Sequence, residues 1–441
     1  MPSDILAIDF GTSNSAAAVL DGGRARRIPV EAGADTLPTA VFFPARGGAM
    51  RIGEAAGEAL IGGEEGRYMR ALKTALGTPL LHETQLVGGR RRTLAQIITA
   101  FLTTLRERAE AVTGRPHARA LSGRPVHFHP DPARDARAEA DLRDCYLAAG
   151  FEEVRFLPEP EAAVLACHHL GAAGTTGLVV DIGGGTSDFS VFRAEGGRVR
   201  ILASHGIRLG GTDFDHVLSM AHAMPLLGHG GELRRETGPG RLPVPNAIYV
   251  DLATWARIPF LYTAATRRQA AQLARLAIQP ERLARLVTVL DHELGHELAF
   301  AVERGKIAAN SGGDARIGMG FIEPGLSAPL SATSLQAALQ GCRDDLSSAI
   351  SETLTLAQVP AGQIASVILV GGSSLMRMVA EAAQAQCPAA TLHRSEAFTA
   401  VVDGLALACA GLEPARDECD AAESRTVCRG RPRPGSDCRR P

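Results

Sequence analysis

Apolar residues along this chain fall into two similar short runs and several helical stripes. Residues 5–20 read ILAIDFGTSNSAAAVL and residues 178–193 read LVVDIGGGTSDFSVFR. Each has a β-rich apolar run, an Asp, a Gly-containing turn with Thr and Ser, and a second apolar run, the pattern of strand, tight turn and strand. Asp9 and Asp181 lie about one domain length apart, so duplication of an α/β unit is the economical reading, with equivalent turns on facing lobes. Leu94–Val112 has apolar residues at helical spacing, and Arg134–Gly150 predicts a second helix, stopped by Gly150. Ala120–Phe128 reads as a strand with a Gly-Arg-Pro break. Further on, Phe214–Met224 reads as helix, 225–250 as a Gly- and Pro-rich irregular insert, and Ala264–Asn310 as a long helical region. Residues 366–371 form a last strand ending in Gly371-Gly372, and a helix begins near Ser373, whose hydroxyl is the predicted N-cap.

Composition sets the frame. With 441 residues the chain is too long for one ordinary core and fits two domains. It is 45% hydrophobic and 21% charged, as soluble globular proteins are. A formal net charge of −2 provides no global field toward nucleic acid or an anionic membrane, and 4% aromatics argues against a base-stacking surface. The first residues lack a basic stretch before an apolar run, and no run approaches a bilayer-spanning length, so a cytoplasmic protein is expected. The 8 cysteines include no Cys-x-x-Cys pair and predict free thiols in a reducing compartment. From Glu413 to Pro441 apolar residues nearly vanish, which predicts a disordered tail; Cys419, Cys428 and Cys438 within it fit no zinc-ligand spacing.

The two turns carry the chemistry. A triphosphate brings about four negative charges that must meet backbone N–H groups, a metal and a Lys. Glycines let the backbone approach phosphate closely, and Gly11-Thr12-Ser13-Asn14 and Gly183-Gly184-Gly185-Thr186 both offer that, each with hydroxyls. The strand-end Asp9 and Asp181 suit Mg²⁺, which keeps waters and takes one or two carboxylates. One such turn is ordinarily a plain hairpin; two copies, each with its Asp, are not explained that way.

These turns, with Gly371-Gly372, resemble the phosphate and adenosine motifs of the actin/hexokinase/heat-shock ATPase superfamily. IDFGTSNS, VDIGGGTSDFSV, LPEPEAAVLA (157–166), RLGGTDFD (208–215), VERGKIAANSG (302–312) and VGGSSLMRM (370–378) are most similar to the heat shock protein 70 (DnaK-type) family. Overall length and the SGRPVHF and MPLLG segments resemble its short YegD-like branch, which lacks a peptide-binding domain. The resemblance implies an α/β, duplicated actin-like (ribonuclease H-like) ATPase fold with two lobes around a nucleotide cleft. Lobe I would span 1–175 with a smaller subdomain at about 38–115, and lobe II 176–392 with one at about 219–314. Residues 393–412 would return to lobe I.

Residue by residue, the resemblance implies that Lys73, Glu159 and Thr186 serve catalysis, Lys73 reaching the γ-phosphate and Glu159 coupling hydrolysis to lobe motion. Gly11, Thr12, Ser13 and Asn14 would face the phosphates from one lobe, and Gly183, Gly184, Gly185, Gly210 and Gly211 from the other. Glu303, Lys306, Asn310, Gly371, Gly372, Ser373 and Met376 would line the adenosine pocket. Asp9 and Asp181 would hold the waters of Mg²⁺, and Asp188 would help bind a monovalent cation, K⁺. Three departures stand out: Leu375 replaces an Arg stacked on adenine, Asn310 replaces a Ser, and Phe398 sits near an Asp position. Losing a stacked guanidinium removes about 1 kcal/mol of cation–π attraction.

His292-Glu293-Leu294-Gly295-His296 matches the HExxH zinc-protease pattern, which on a continuous helix puts both imidazoles on one face. No third-ligand motif follows and short patterns recur by chance, so these residues are read as exposed helix positions. The function expected is an ATP-binding, ATP-hydrolysing, chaperone-like protein that changes lobe angle with nucleotide and acts on an unidentified protein partner. Within the same superfamily, a small-molecule kinase and a non-hydrolysing switch or filament subunit are the alternatives.

Overall fold

The protein is described by a computed structural model that covers residues 4–129, 131–167, 174–195, 198–313, 315–394 and 399–412. The tail after Leu412 and Phe398 lie outside the described residues.

Both strand–turn–strand units form as antiparallel pairs. Ile5–Phe10 pairs with Asn14–Asp21, placing Asp9 opposite Ala16, and Thr176–Ile182 pairs with Ser187–Glu195, placing Asp181 opposite Asp188. A third antiparallel strand extends each pair, Arg24–Ile28 in the first sheet and Arg198–Ile207 in the second. On its other side, the leading strand of each sheet takes parallel partners. These are Arg119–Arg124 then Glu153–Pro158 in the first sheet, and Ser366–Val370 then Thr391–Arg394 in the second. The two five-strand paths therefore run in the same order. Ile5–Phe10, Thr176–Ile182 and Ser366–Val370 read as near-continuous apolar runs, as strands buried on both faces do.

Helices Glu159–Ala166 and Ala400–Ala408 pack on each other between the two sheets. One buried apolar cluster joins Ile5 and Ala7 of the first sheet, Val179 and Ile368 of the second, and Ala162, Val402 and Leu405 of the helices. The helices touch backbone to backbone. A methyl group at Gly404 would run into the carbonyl of Ala162, and one at Gly123 would press on the Glu159 stem, Val401 and Leu405. Arg27, on the third strand, grips the Asp403 carboxylate of the second helix through Nε at 2.9 Å and Nη2 at 2.7 Å. Two larger cores lie outside this seam, one around Phe10, Phe101 and Tyr146 and the other around Phe214, Tyr249 and Leu286.

Several expected elements take a different form. Leu94–Thr113 and Pro132–Ala148 are helices as expected, the first closed by a capping box at Thr93 and Gln96. The strand predicted over Ala120–Phe128 stops at Arg124, because Pro125 lacks the N–H a further ladder bond needs. Helix Gly211–Leu218 loosens into a wide turn over Ser219–Ala223 and a tight one over Met224–Leu227. The insert at 225–250 contains a small hairpin, Glu232–Arg234 with Arg241–Pro243, and a helix, Ala247–Leu252. The long helical region breaks into Ala264–Leu276, Pro280–Asp291 and Gly295–Asn310: Pro280 can only open a helix, and Glu293 turns left-handed at φ 56°. Ser373 caps no helix, since it lies in the 3₁₀ turn Gly372–Leu375 and the helix starts at Arg377 after Met376. Among the described residues no helix is long and apolar enough to cross a membrane.

Gly404→Ala is expected to cost about 3 kcal/mol or more, read as a lowered denaturation midpoint, because neither backbone can retreat without parting the sheets. Gly411→Ala, where an added methyl meets open space, should stay within about 0.5 kcal/mol. Equal effects of the two changes would sink the close-approach account.

Candidate functional site

A cavity of about 630 Å³ opens where the leading strands of the two sheets end. Asp9 is the penultimate residue of its strand and Asp181 of its own, so each carboxylate sits at the mouth of its glycine turn. Gly11, Thr12, Ser13 and Asn14 line the cavity from one side, and Gly183, Gly184 and Thr186 from the other. The turns nearly touch, since a methyl group on Gly184 would collide with the Ser13 hydroxyl. Gly211, Gly372, Ser373 and Met376 also line it. Gly371 does too, with φ 81°, and a side chain there would strike the carboxylate of Asp181. Gly185 and Gly210 are not among the residues lining the cavity; a methyl group on Gly210 would run into the Gly184–Gly185 backbone behind the turn, where Gly211 N–H donates to Gly183 O at 3.0 Å and Thr212 N–H to Gly184 O at 2.8 Å.

The charges are unbalanced. Lys73 and Glu159 form a buried ion pair at 2.7 Å, and Asp9, Asp181 and Asp188 line the same cavity. Burial, then the neighbouring Glu159 charge, pushes Asp9 up to about 7 against the pull of Lys73. Burial and then Glu159 likewise raise Asp188 to about 6, opposed by Lys73 and a hydrogen bond from Thr186. Asp181 is driven well above the ordinary carboxylate range by burial and by Glu159, Asp188 and Asp9. Its register opposite Asp188 puts both carboxylates on one face of the sheet, and like charges so paired repel. Burial opposes the charge of Lys73, but Glu159, Asp9 and Asp181 outweigh it and hold the ammonium above its usual value. Lys73 reaches this place through a 3₁₀ turn, Leu72–Ala75, entered by Ala71 in the left-handed region at φ 56°. For a residue with a Cβ that conformation costs about 1 kcal/mol, stored where the lysine is aimed.

Such a surplus of buried carboxylate oxygen is the environment a hard divalent cation relieves. Among the described residues no group of three or more His, Cys, Asp or Glu side chains could hold a metal by itself. Mg²⁺ is ordinarily held by one or two carboxylates together with waters and phosphate oxygens rather than by a protein cage. Asp9 and Asp181 fit that role.

Away from the charges, helix Gly295–Asn310 and the 3₁₀ turn Gly372–Leu375 form the cavity's far wall. Lys306 faces the cavity but is held by Asp215 at 2.9 Å, and burial lifts Asp215 to about 6 against that pull. Asn310 spans the wall, its Nδ2 donating to Leu375 O at 3.0 Å and its Oδ1 accepting from Arg377 N–H at 2.8 Å. Glu303 also lines this part. At the rim, the guanidinium of Arg70 lies 4.7 Å from the Trp255 ring centre, and Trp255 packs edge-on against His296 and Phe300. Sequence reasoning missed Arg70, Trp255, Asp215 and Ile307, although a lone Trp in the chain was one available signal.

The HExxH pattern is not one helical face. His292 ends helix Pro280–Asp291, Glu293 is left-handed, and His296 lies in the next helix. Nor is His296 exposed: it is 8% accessible, and burial and then Arg70 lower its pKa to about 4.

Asp9 binds its proton more tightly in the folded chain than in the unfolded one. Its contribution to folding is therefore full below about pH 4 and is lost as the pH rises through about 7. Asp9→Asn, which keeps the neutral form, should gain stability over the parent chain between pH 5 and pH 8 in EDTA, by at most about 4 kcal/mol. A difference in melting temperature that stays flat across that range would refute the assignment.

Residues 79–225 match the family model described as Hsp70 protein. That segment contains Glu159, Asp181, the second glycine turn and Gly210-Gly211. The match likens that segment, about a third of the chain, to heat shock protein 70 proteins, a likeness that supports an actin-like fold and nucleotide binding.

Proposed function

We propose that the protein binds ATP with Mg²⁺ in this cleft, hydrolyses it, and passes the resulting change in lobe angle to a partner protein in the cytoplasm. The observation that carries this reading is the placement of two strand-end aspartates and the Lys73–Glu159 pair around one cavity between facing glycine turns. The two sheets of equal strand order favour an internal duplication, with each copy supplying one turn and one aspartate. On this reading the sheets belong to two lobes, approximately 1–175 and 176–392, and Ala400–Ala408 is the return into the first.

Phosphoryl transfer to water needs positioning and charge neutralisation more than covalent chemistry. A bound Mg²⁺ would supply neutralisation of the phosphate oxygens and order water at Asp9 and Asp181. Lys73 places a positive charge beside the γ-phosphoryl group as water bonds to its phosphorus and the bond to the leaving ADP oxygen breaks. Glu159, held by Lys73, accepts a hydrogen bond from the attacking water and orients it. The backbone of the two turns binds the phosphate chain, while Thr186 adds a hydroxyl and Asp188 an oxygen for K⁺.

Glu159 opens the helix that packs on Ala400–Ala408, so its position is mechanically tied to the seam between the sheets. The Arg70–Trp255 contact spans the cleft mouth and would report closure. A hinge transition of this kind biases a partner that prefers one lobe angle.

Single-turnover hydrolysis with Mg²⁺ and K⁺, without an acceptor, should release ADP and phosphate and should stop in EDTA; tight binding without release would sink the hydrolytic part. Lys73→Ala should lower the hydrolysis rate by about 100-fold or more while changing ATP affinity less than tenfold, as expected for a charge used mainly in the transition state. Equal losses in both would show that Lys73 has another role. Trp255 is the 1 tryptophan in the chain, so ATP with Mg²⁺ should shift its emission, and Arg70→Ala should reduce that shift. Unchanged emission at saturating nucleotide would contradict closure at the rim.

A further inference from the structure

We infer that Thr39, outside the cavity, is a positioning residue: its hydroxyl, paired with that of Ser15, holds Lys73 and Arg70 in register with the first glycine turn. The inference rests on the nucleotide-binding reading and concerns which residue aims the lysine and the rim.

Thr39 lies at a joint. Strand Thr36–Pro38 ladders onto the strand that leaves the turn, with Pro38 opposite Asn14 and Leu37 opposite Ser15. The chain bends at Thr39 and enters strand Ala40–Pro44. Ala40, the next residue, stands opposite Arg70 at the end of strand Gly66–Arg70. Arg70 reaches across to Trp255, and the 3₁₀ turn that follows, Leu72–Ala75, carries Lys73. One short stretch of backbone therefore leads from the phosphate-facing turn to both the lysine and the rim.

Two contacts stop that joint from pivoting. The Thr39 N–H donates to Ser13 O at 2.8 Å, and Thr39 Oγ1 lies 2.8 Å from Ser15 Oγ. They grip the turn on both sides of Asn14. Thr39 and Ser15 are each 1% accessible, so water cannot replace either hydroxyl, and a buried hydroxyl left without its partner is costly. A satisfied buried pair favours a single arrangement. Ser13 itself meets Gly184 across the cleft, where a methyl group on Gly184 would collide with its hydroxyl. Phosphate entering between the two turns thus presses on the element that Thr39 holds, and the joint carries that displacement to Ala40 and Arg70. Coupling over such a distance travels through a contiguous chain of rigid contacts, which the ladder rungs and the hydroxyl pair supply. A slack joint would leave phosphate bound but the lysine poorly aimed, and misplacement by about 1 Å can cost about 100-fold in rate.

The test uses the full chain with MgATP: affinity by calorimetry, single-turnover hydrolysis, and the emission shift of the lone Trp255 at saturating nucleotide. Thr39→Val keeps the shape and the N–H but removes the hydroxyl. It is expected to slow hydrolysis by about tenfold or more and to reduce the shift by about half or more, with affinity within about threefold of the parent. Thr39→Ser, which keeps Oγ, should hold both at the parent's values. A role in stability alone would lower the melting temperature of Thr39→Val and leave its rate and shift unchanged, and that result would overturn the proposal. So would a loss of affinity as large as the loss of rate, or a serine variant that behaves like the valine one. Should Thr39→Val not fold, Ser15→Ala removes the same pair from the turn side and is read by the same measurements. A parent chain that binds MgATP with neither hydrolysis nor a shift would also overturn the proposal. No binding of MgATP to the parent would sink the nucleotide-binding reading, and this proposal with it.

Discussion

Everything about the cleft depends on two helices meeting at backbone distance between the sheets. Glu159–Ala166 and Ala400–Ala408 can approach so closely only because residue 404 has no side chain to hold them apart at Ala162. Alanine and valine fill the rest of the seam, and the strands of both sheets close over it in one apolar cluster. Because interiors are packed to crystal density, the angle between the sheets is set by few contacts and has few alternatives. The Arg27–Asp403 pair adds a directional tie that apolar contact cannot supply.

From that seam the electrostatics follow. The strand ends bring Asp9, Asp181 and Asp188 into one low-dielectric space, and the seam helix brings Glu159, with Lys73 as the direct ion-pair partner of that glutamate. Burial, and after it the Glu159 charge, then raise Asp9 to about 7 and Asp188 to about 6, above ordinary carboxylate values. The fold keeps these groups in an arrangement unfavourable in itself. Strained electrostatics of this type is tolerated where it serves binding. The same helix that carries Glu159 lies against the seam, so a change in the angle between sheets must move that carboxylate.

Parts of this were legible in the sequence. The glycine turns and their aspartates appear at the cavity because short strand–turn–strand units are local, and local pattern fixes which residues lie at a strand end. Helices with full apolar stripes, such as Leu94–Thr113, were equally plain. The region 264–310 was not, since period alone does not say where a helix must stop; Pro280 and the left-handed Glu293 decide that.

By itself, then, the sequence determined the strand-turn units, the acidic and glycine residues at their ends, and the helical character of most other segments. These rest on interactions between near neighbours along the chain. Tertiary structure decided that Lys73 pairs with Glu159 across 86 positions, that Lys306 is spent on Asp215, and that Asn310 faces backbone. It also decided that His296 is buried against Trp255 rather than open to a metal. Those outcomes depend on which surfaces meet when distant segments pack. A pairing set by long-range packing leaves no periodic trace in the order of residues.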